Sequence, residues 1–120
     1  MLVSPLQSAA AGMFANAAKL AVAAHNIANI ATDGYKKYTA VIEADASGRP
    51  QAYSAPSTAP GTLIPGAEGL PDSEAYRELS TVDFTEEFVA MRIASYGYRA
   101  NASVLRTHDQ LLGSILDIIA

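Results

Sequence analysis

Apolar residues recur at alternating spacings of four and three at both ends of this 120-residue chain, and no other feature constrains its fold as strongly. Near the N-terminus, Leu6, Ala10, Met13, Ala17, Leu20, Ala24, Ile27 and Ala31 follow the pattern. Near the C-terminus, Phe84, Phe88, Met91, Ser95, Tyr98, Ala102, Leu105, Asp109, Leu112, Leu116 and Ile119 follow it, with polar residues only at Ser95 and Asp109. A mean period of 3.5 keeps such residues on one side of an α-helix, so the pattern predicts two long helices, each with a seam for a helical partner. A second line lies beside each seam: Phe14, Ala18, Ala21 and Ala28 in the first, Ala94, Gly97, Asn101, Val104, His108, Leu111, Ile115 and Ile118 in the second. One neighbour would not cover both lines.

The helix ends are written locally. Ser4-Pro5-Leu6-Gln7 offers a capping hydroxyl, a proline where its missing N–H costs nothing, and Gln7 at the third helical position. Thr32-Asp33-Gly34 supplies a stop, with a glycine free to take positive φ and Lys36 and Lys37 beyond it. Asp83-Phe84-Thr85-Glu86 starts the second helix with a cap and early negative charge, which Glu87 extends. No proline follows Asp83, so this helix is expected to run for about 35 residues, roughly 50 Å.

Three segments result: a helical core segment over 1–34, a central segment over 35–82, and a second helical core segment over 83–120. Five of the six prolines fall in the centre. There KYTAVIEA from Lys37 to Ala44 has strand composition, Asp45 to Pro50 reads as a turn, and Gln51 to Ser54 as a short returning strand. Pro56 to Pro71 is expected to be irregular and exposed. The expected fold is mainly α, with the terminal helices paired as an antiparallel coiled coil and a short β-hairpin and irregular segment between them.

Composition narrows the functional classes. Lys and Arg number 8 against 12 Asp and Glu, a formal charge of -4, so a nucleic-acid partner finds little electrostatic purchase. Without cysteine there is no thiolate chemistry and no disulfide. The stretch MLVSPLQSAAAGMF lacks a basic leader, and no apolar run reaches the roughly 18 residues of a membrane span, so neither Sec cleavage nor a transmembrane segment is expected. His25-Asn26 and His108-Asp109 are sequence neighbours that point apart on a helix, and H-E-x-x-H and Walker spacings are missing. No catalytic residue, metal ligand or cofactor is expected. Asn26 and Asn29 are instead expected to bond backbone near the helix end or across to a neighbouring helix.

Two stretches carry a family resemblance. Ala24-His-Asn-Ile-Ala-Asn-Ile-Ala-Thr-Asp-Gly-Tyr-Lys-Lys37 resembles the N-terminal signature of bacterial flagellar rod and hook proteins. Val82-Asp-Phe-Thr-Glu-Glu-Phe-Val-Ala-Met91, with Tyr98-Arg-Ala-Asn101 and Val104-Leu105, resembles their C-terminal signature. The positions that match are Asn26, Asn29, Thr32, Gly34, Tyr35 and Lys36, then Asp83, Glu87, Tyr98, Ala100, Asn101 and Val104. His25 departs from the asparagine or serine common before Asn26. The short centre is most similar to that of the proximal rod subunit.

The resemblance implies a non-enzymatic subunit of the flagellar basal-body rod in the periplasm, exported by the type III route without a cleaved leader. It implies partners that are copies of this chain and other rod or basal-body proteins. The residues expected to pair helices and to carry assembly are Leu6, Met13, Leu20 and Ile27, with Phe84, Phe88, Met91, Tyr98, Leu105, Leu112 and Leu116. The other reading of the residues is a soluble helical adaptor or export-associated protein that binds one partner in an apolar groove.

Overall fold

The computed structural model of the chain describes residues 4–66 and 76–119. Two long helices dominate it: α1, Pro5–Ala28, and α2, Phe84–Ile119. At 1.5 Å per residue they measure roughly 36 and 54 Å, and the molecule is a rod of 82 × 25 × 15 Å. Among the described residues, no helix is long and apolar enough to cross a membrane.

Both starts follow the sequence signals. The Ser4 hydroxyl accepts the Gln7 N–H at 3.2 Å with Pro5 in the first turn, and the Asp83 carboxylate accepts the Glu86 N–H at 3.0 Å. The end of α1 differs. Helix is expected as far as Thr32-Asp33-Gly34 but stops at Ala28, with Asn29 as its cap. Local bonds explain this: Asn29 Nδ2 donates to the His25 carbonyl at 2.9 Å, and the Thr32 hydroxyl donates to Asn29 Oδ1 at 3.2 Å. The backbone continues in tight turns to Gly34, whose φ of 69° is the positive value expected of it.

Between the helices, β1, Tyr38–Ala44, and β2, Pro50–Pro56, form an antiparallel hairpin in which Val41 faces Tyr53. Its turn is a carboxylate cap. Asp45 Oδ1 accepts the N–H groups of Ser47 and Arg49 at 2.8 and 2.9 Å, and Gly48 takes φ 78°. Hydrogen bonding from the Arg49 N–H chiefly holds the Asp45 carboxyl below its ordinary pKa.

The stretch expected to be irregular, Pro56 to Pro71, supplies one strand of a further pairing. β3, Leu63–Pro65, lies antiparallel to β4, Tyr76–Glu78. Composition gave no sign of it because each strand is only three residues long and is held in place by distant contacts of Glu78. The Glu78 carboxylate accepts from Lys36 Nζ and the Gly61 N–H, while its carbonyl accepts the Gly34 N–H at 2.7 Å. Pro71 and its neighbours lie outside the described residues.

The helices run antiparallel, since Gly12 faces Asn101 and Gly97 faces Asn16. The buried residues along them are small: Ala9, Gly12, Ala15 and Ala23 of α1 and Ala94 of α2, with Asn26 and Glu87 as buried polar members. Such a core removes little apolar area from water. In this register Pro5 lies near His108, so about eleven residues of α2, roughly 16 Å, run on past Pro5.

Candidate assembly surface

The line on which α1 and α2 meet is one position earlier than the four-three series. In α1 it comprises Ala9, Gly12, Asn16, Ala23 and Asn26; in α2 it comprises Glu87, Ala90, Ala94, Gly97 and Asn101. One residue turns about 100° around a helix, so the large apolar side chains are carried to the flanks. Met13, Leu20, Ile27, Met91 and Leu105 are half-buried there. Leu6, Phe84, Phe88, Tyr98, Leu112 and Leu116 are exposed.

Close approach selects this line. Asn16 Nδ2 donates to the Gly12 carbonyl and Asn101 Nδ2 to the Gly97 carbonyl, both at 2.8 Å. Each amide lies over the glycine of the other helix: a Cβ on Gly12 would sit 2.7 Å from Asn101 Oδ1, and one on Gly97 would overlap Asn16 Oδ1. The result is a reciprocal clasp built from Gly-x-x-x-Asn in each helix. Sequence reading singled out Gly97 and Asn101 but missed Gly12 and Asn16. Their signal was the same i, i+4 glycine–asparagine spacing appearing once in each helix.

The junction below α1 centres on Asn26, which has no exposed surface. Its Oδ1 accepts the Tyr38 N–H at 2.9 Å and the Tyr35 hydroxyl at 3.0 Å, while its Nδ2 donates to the Tyr38 carbonyl at 2.7 Å. One side chain therefore replaces a backbone partner on both sides of Tyr38 and pins the start of β1 to α1. Burial is the main cause that raises the Tyr35 pKa, with Tyr38 and Glu87 adding to it, so the phenol keeps the proton it donates. His25 packs edge-on to Tyr35 and Tyr38, with ring centroids 5.9 and 6.4 Å away.

The neighbouring positions tie the centre to both helices. Lys36 binds Glu78 and donates to the Ala59 carbonyl at 3.1 Å. Lys37 Nζ reaches Glu86 at 2.6 Å, and its N–H donates to the Thr81 hydroxyl at 2.8 Å. The Lys36 hydrogen bond, then that from Gly61, lowers the Glu78 pKa. The structure thus brings Asn26, Gly34, Tyr35, Lys36 and Glu87 into one junction, with Asp83 capping the adjacent helix. Asn29 and Thr32 serve the exposed turn, Asn101 belongs to the clasp, and Tyr98, Ala100 and Val104 lie exposed on α2.

What remains outside is apolar. Phe84 and Phe88 stack with centroids 6.0 Å apart, both about half exposed. Beyond Pro5, Leu111, Leu112, Ile115, Leu116, Ile118 and Ile119 are exposed on two adjoining lines of α2. Elsewhere, α1 and the hairpin turn border an open groove of about 580 Å³. Its α1 side is mostly alanine with Phe14, which is 78% exposed, and its hairpin side is largely polar, with the Asp45–Arg49 ion pair and Gln51. Clusters of large exposed apolar side chains such as those at the two ends of α2 are the mark of protein contacts rather than of a solvated face.

Two family models match the chain. Residues 6–36 match the one described as flagella basal body rod protein, and residues 74–118 match flagellar basal body rod FlgEFG protein C-terminal. They cover α1 with its following turn and nearly all of α2. No curated protein matches the chain.

Proposed function

We propose that this chain, which belongs to the flagellar basal-body rod protein family and is placed by it in the basal-body rod, polymerises through its terminal helices to form part of the axial drive shaft. The family is structural, and the role calls for no substrate, cofactor or reaction. Coiled-coil packing of the helices is completed between subunits: the inner line joins α1 to α2, and the flanking lines join each pair to its neighbours. Copies of the chain and other rod proteins are the partners. Torque applied to one subunit then passes to the next through interlocked side chains.

One observation carries this reading. Leu6, Phe84, Phe88, Leu112 and Leu116 lie at the surface of the chain, although their spacing is that of residues made for helix packing. Small residues satisfy the internal contact, and the large ones are left for another subunit.

Sedimentation and negative-stain imaging of the purified chain, alone and with other rod proteins, test the proposal. Tubular or filamentous assemblies are expected, and polar substitution at Leu20, Ile27, Leu105 or Leu112 is expected to reduce them. Unimpaired assembly by all four variants would refute the assignment of these lines. A finite complex with one partner and no polymer would favour the adaptor reading instead.

A further inference from the structure

Resting on that reading, we infer that the end of α2, residues 109–119, seats in the groove between α1 and the β-hairpin turn of a second copy. Three features point to this pairing. The first is size. Along α1 the groove runs from Gln7 to Ala18, roughly 16 Å, and the part of α2 beyond Pro5 has the same length. The second is shape: on the α1 side Ala10, Ala11 and Ala18 leave room for branched side chains with Phe14 exposed beside them, while the polar hairpin wall, with Asp45, Arg49 and Gln51, would meet the tail's polar face. Leucines and isoleucines on adjoining lines of the tail supply those side chains.

The third is area. Leu116, Ile118 and Ile119 are 67%, 83% and 77% exposed, and Leu111, Leu112 and Ile115 about half. Together these six residues present roughly 700 Å², the ceiling on what they can bury, against the ~800 Å² that each partner buries in an ordinary stable interface.

The occupant cannot be the same chain's own tail. The groove lies alongside the part of α1 that faces the middle of α2, and the tail continues away from it as unbroken helix. Two tails packed on each other would close a dimer and leave Phe14 in water. Tail into groove joins two different surfaces, so each added copy presents a fresh tail and a fresh groove, and growth stays open-ended.

The lack of native cysteine makes a clean cross-linking test possible. Phe14→Cys and Leu116→Cys, both at exposed positions, are made in separate full-length chains and their helix content is checked by circular dichroism. They are then mixed and oxidised. Within one chain the two positions lie roughly 25 Å apart along the helix pair, beyond the ~7 Å that a disulfide spans between Cα atoms. The mixture is expected to give about tenfold more disulfide-linked dimer than either variant alone, because docking raises the local thiol concentration. A chain carrying both substitutions is expected to give a ladder of linked oligomers.

Dimers from Leu116→Cys alone at the level of the mixture would overturn the inference in favour of tail-to-tail pairing. Pelletable polymer without mixed cross-links would overturn it while leaving polymerisation standing. Neither polymer nor cross-link would overturn both.

Discussion

Replacing Asn26 by alanine removes three hydrogen bonds from one buried point: those to the Tyr38 N–H, the Tyr38 carbonyl and the Tyr35 hydroxyl. The phenol can turn to water, but the two Tyr38 backbone groups lose partners in a partly buried position. At about 1–3 kcal/mol for each group left unpaired, discounted for partial access to water, the loss is about 2–4 kcal/mol. It falls on the attachment of the hairpin rather than on the clasp between the helices, because Asn16, Asn101 and their glycines are untouched. Amide hydrogen exchange measures this directly. Protection in the β1–β2 ladder is expected to fall by about 30- to 1,000-fold, while amides around Ala94 change far less. Asn29→Ala is the control: its bonds lie in an exposed turn, and its effect should stay below about 1 kcal/mol. Equal effects of the two substitutions, or loss of helix protection with an unchanged hairpin, would refute the role given to Asn26.

Gly12→Ala gains about 1 kcal/mol of helix propensity but drives a Cβ to 2.7 Å from Asn101 Oδ1, so a net loss of about 1–2 kcal/mol is expected in denaturant melts. Asn101→Ala in the same chain should relieve the overlap and make the glycine change neutral or better; failure of that rescue counts against the clasp. Glu78 titrates below its ordinary value in the folded chain because of Lys36 and Gly61. Its contribution is therefore complete above the unfolded glutamate pKa and disappears as pH falls through the lower folded value. NMR shifts of Gly61 and Gly34 should follow that acid transition, and Glu78→Gln should abolish it. Phe88→Ser, at a half-exposed position, should leave the monomer melt within about 1 kcal/mol yet sharply reduce pelletable polymer; parallel loss of both would place Phe88 in the fold rather than the assembly surface.

The parts of this fold that were legible in sequence are those decided by neighbouring residues. Ser4 and Asp83 cap helices because the donors they satisfy lie three residues away. Asp45 to Pro50 turns because the Asp45 carboxylate reaches the Ser47 and Arg49 N–H groups without help from elsewhere. The pairing of β3 with β4 was hidden for the opposite reason: Glu78 finds Lys36 and Gly61 only after the chain has returned across the junction. Asn26 was readable as a residue that bonds backbone near the helix end. That its partner is Tyr38, on the first strand, was not.

Which line of α1 meets α2 was hidden by a more general difficulty. An alanine-rich helix has apolar residues on several adjoining lines, so hydrophobic period identifies a helix without choosing its face. Leu6, Met13, Leu20 and Ile27 offer more area than Ala9, Gly12 and Ala23, and area alone favours them. Backbone separation decides otherwise. Glycine opposed to asparagine lets the helices approach until each amide both bonds its own helix and fills the space above the other's glycine, and large side chains on that line would hold the helices apart.

The same choice links the fold to assembly. Because the internal contact uses alanine, glycine and asparagine, the chain buries only a thin core by itself, and its large apolar residues contribute little until another subunit covers them. In the proposed rod each added neighbour therefore stabilises the fold it docks on, as any ligand does that binds only the folded state. A stronger internal seam made by moving leucines inward would remove the surface on which growth depends, so marginal monomer stability and capacity to polymerise come from one placement of side chains.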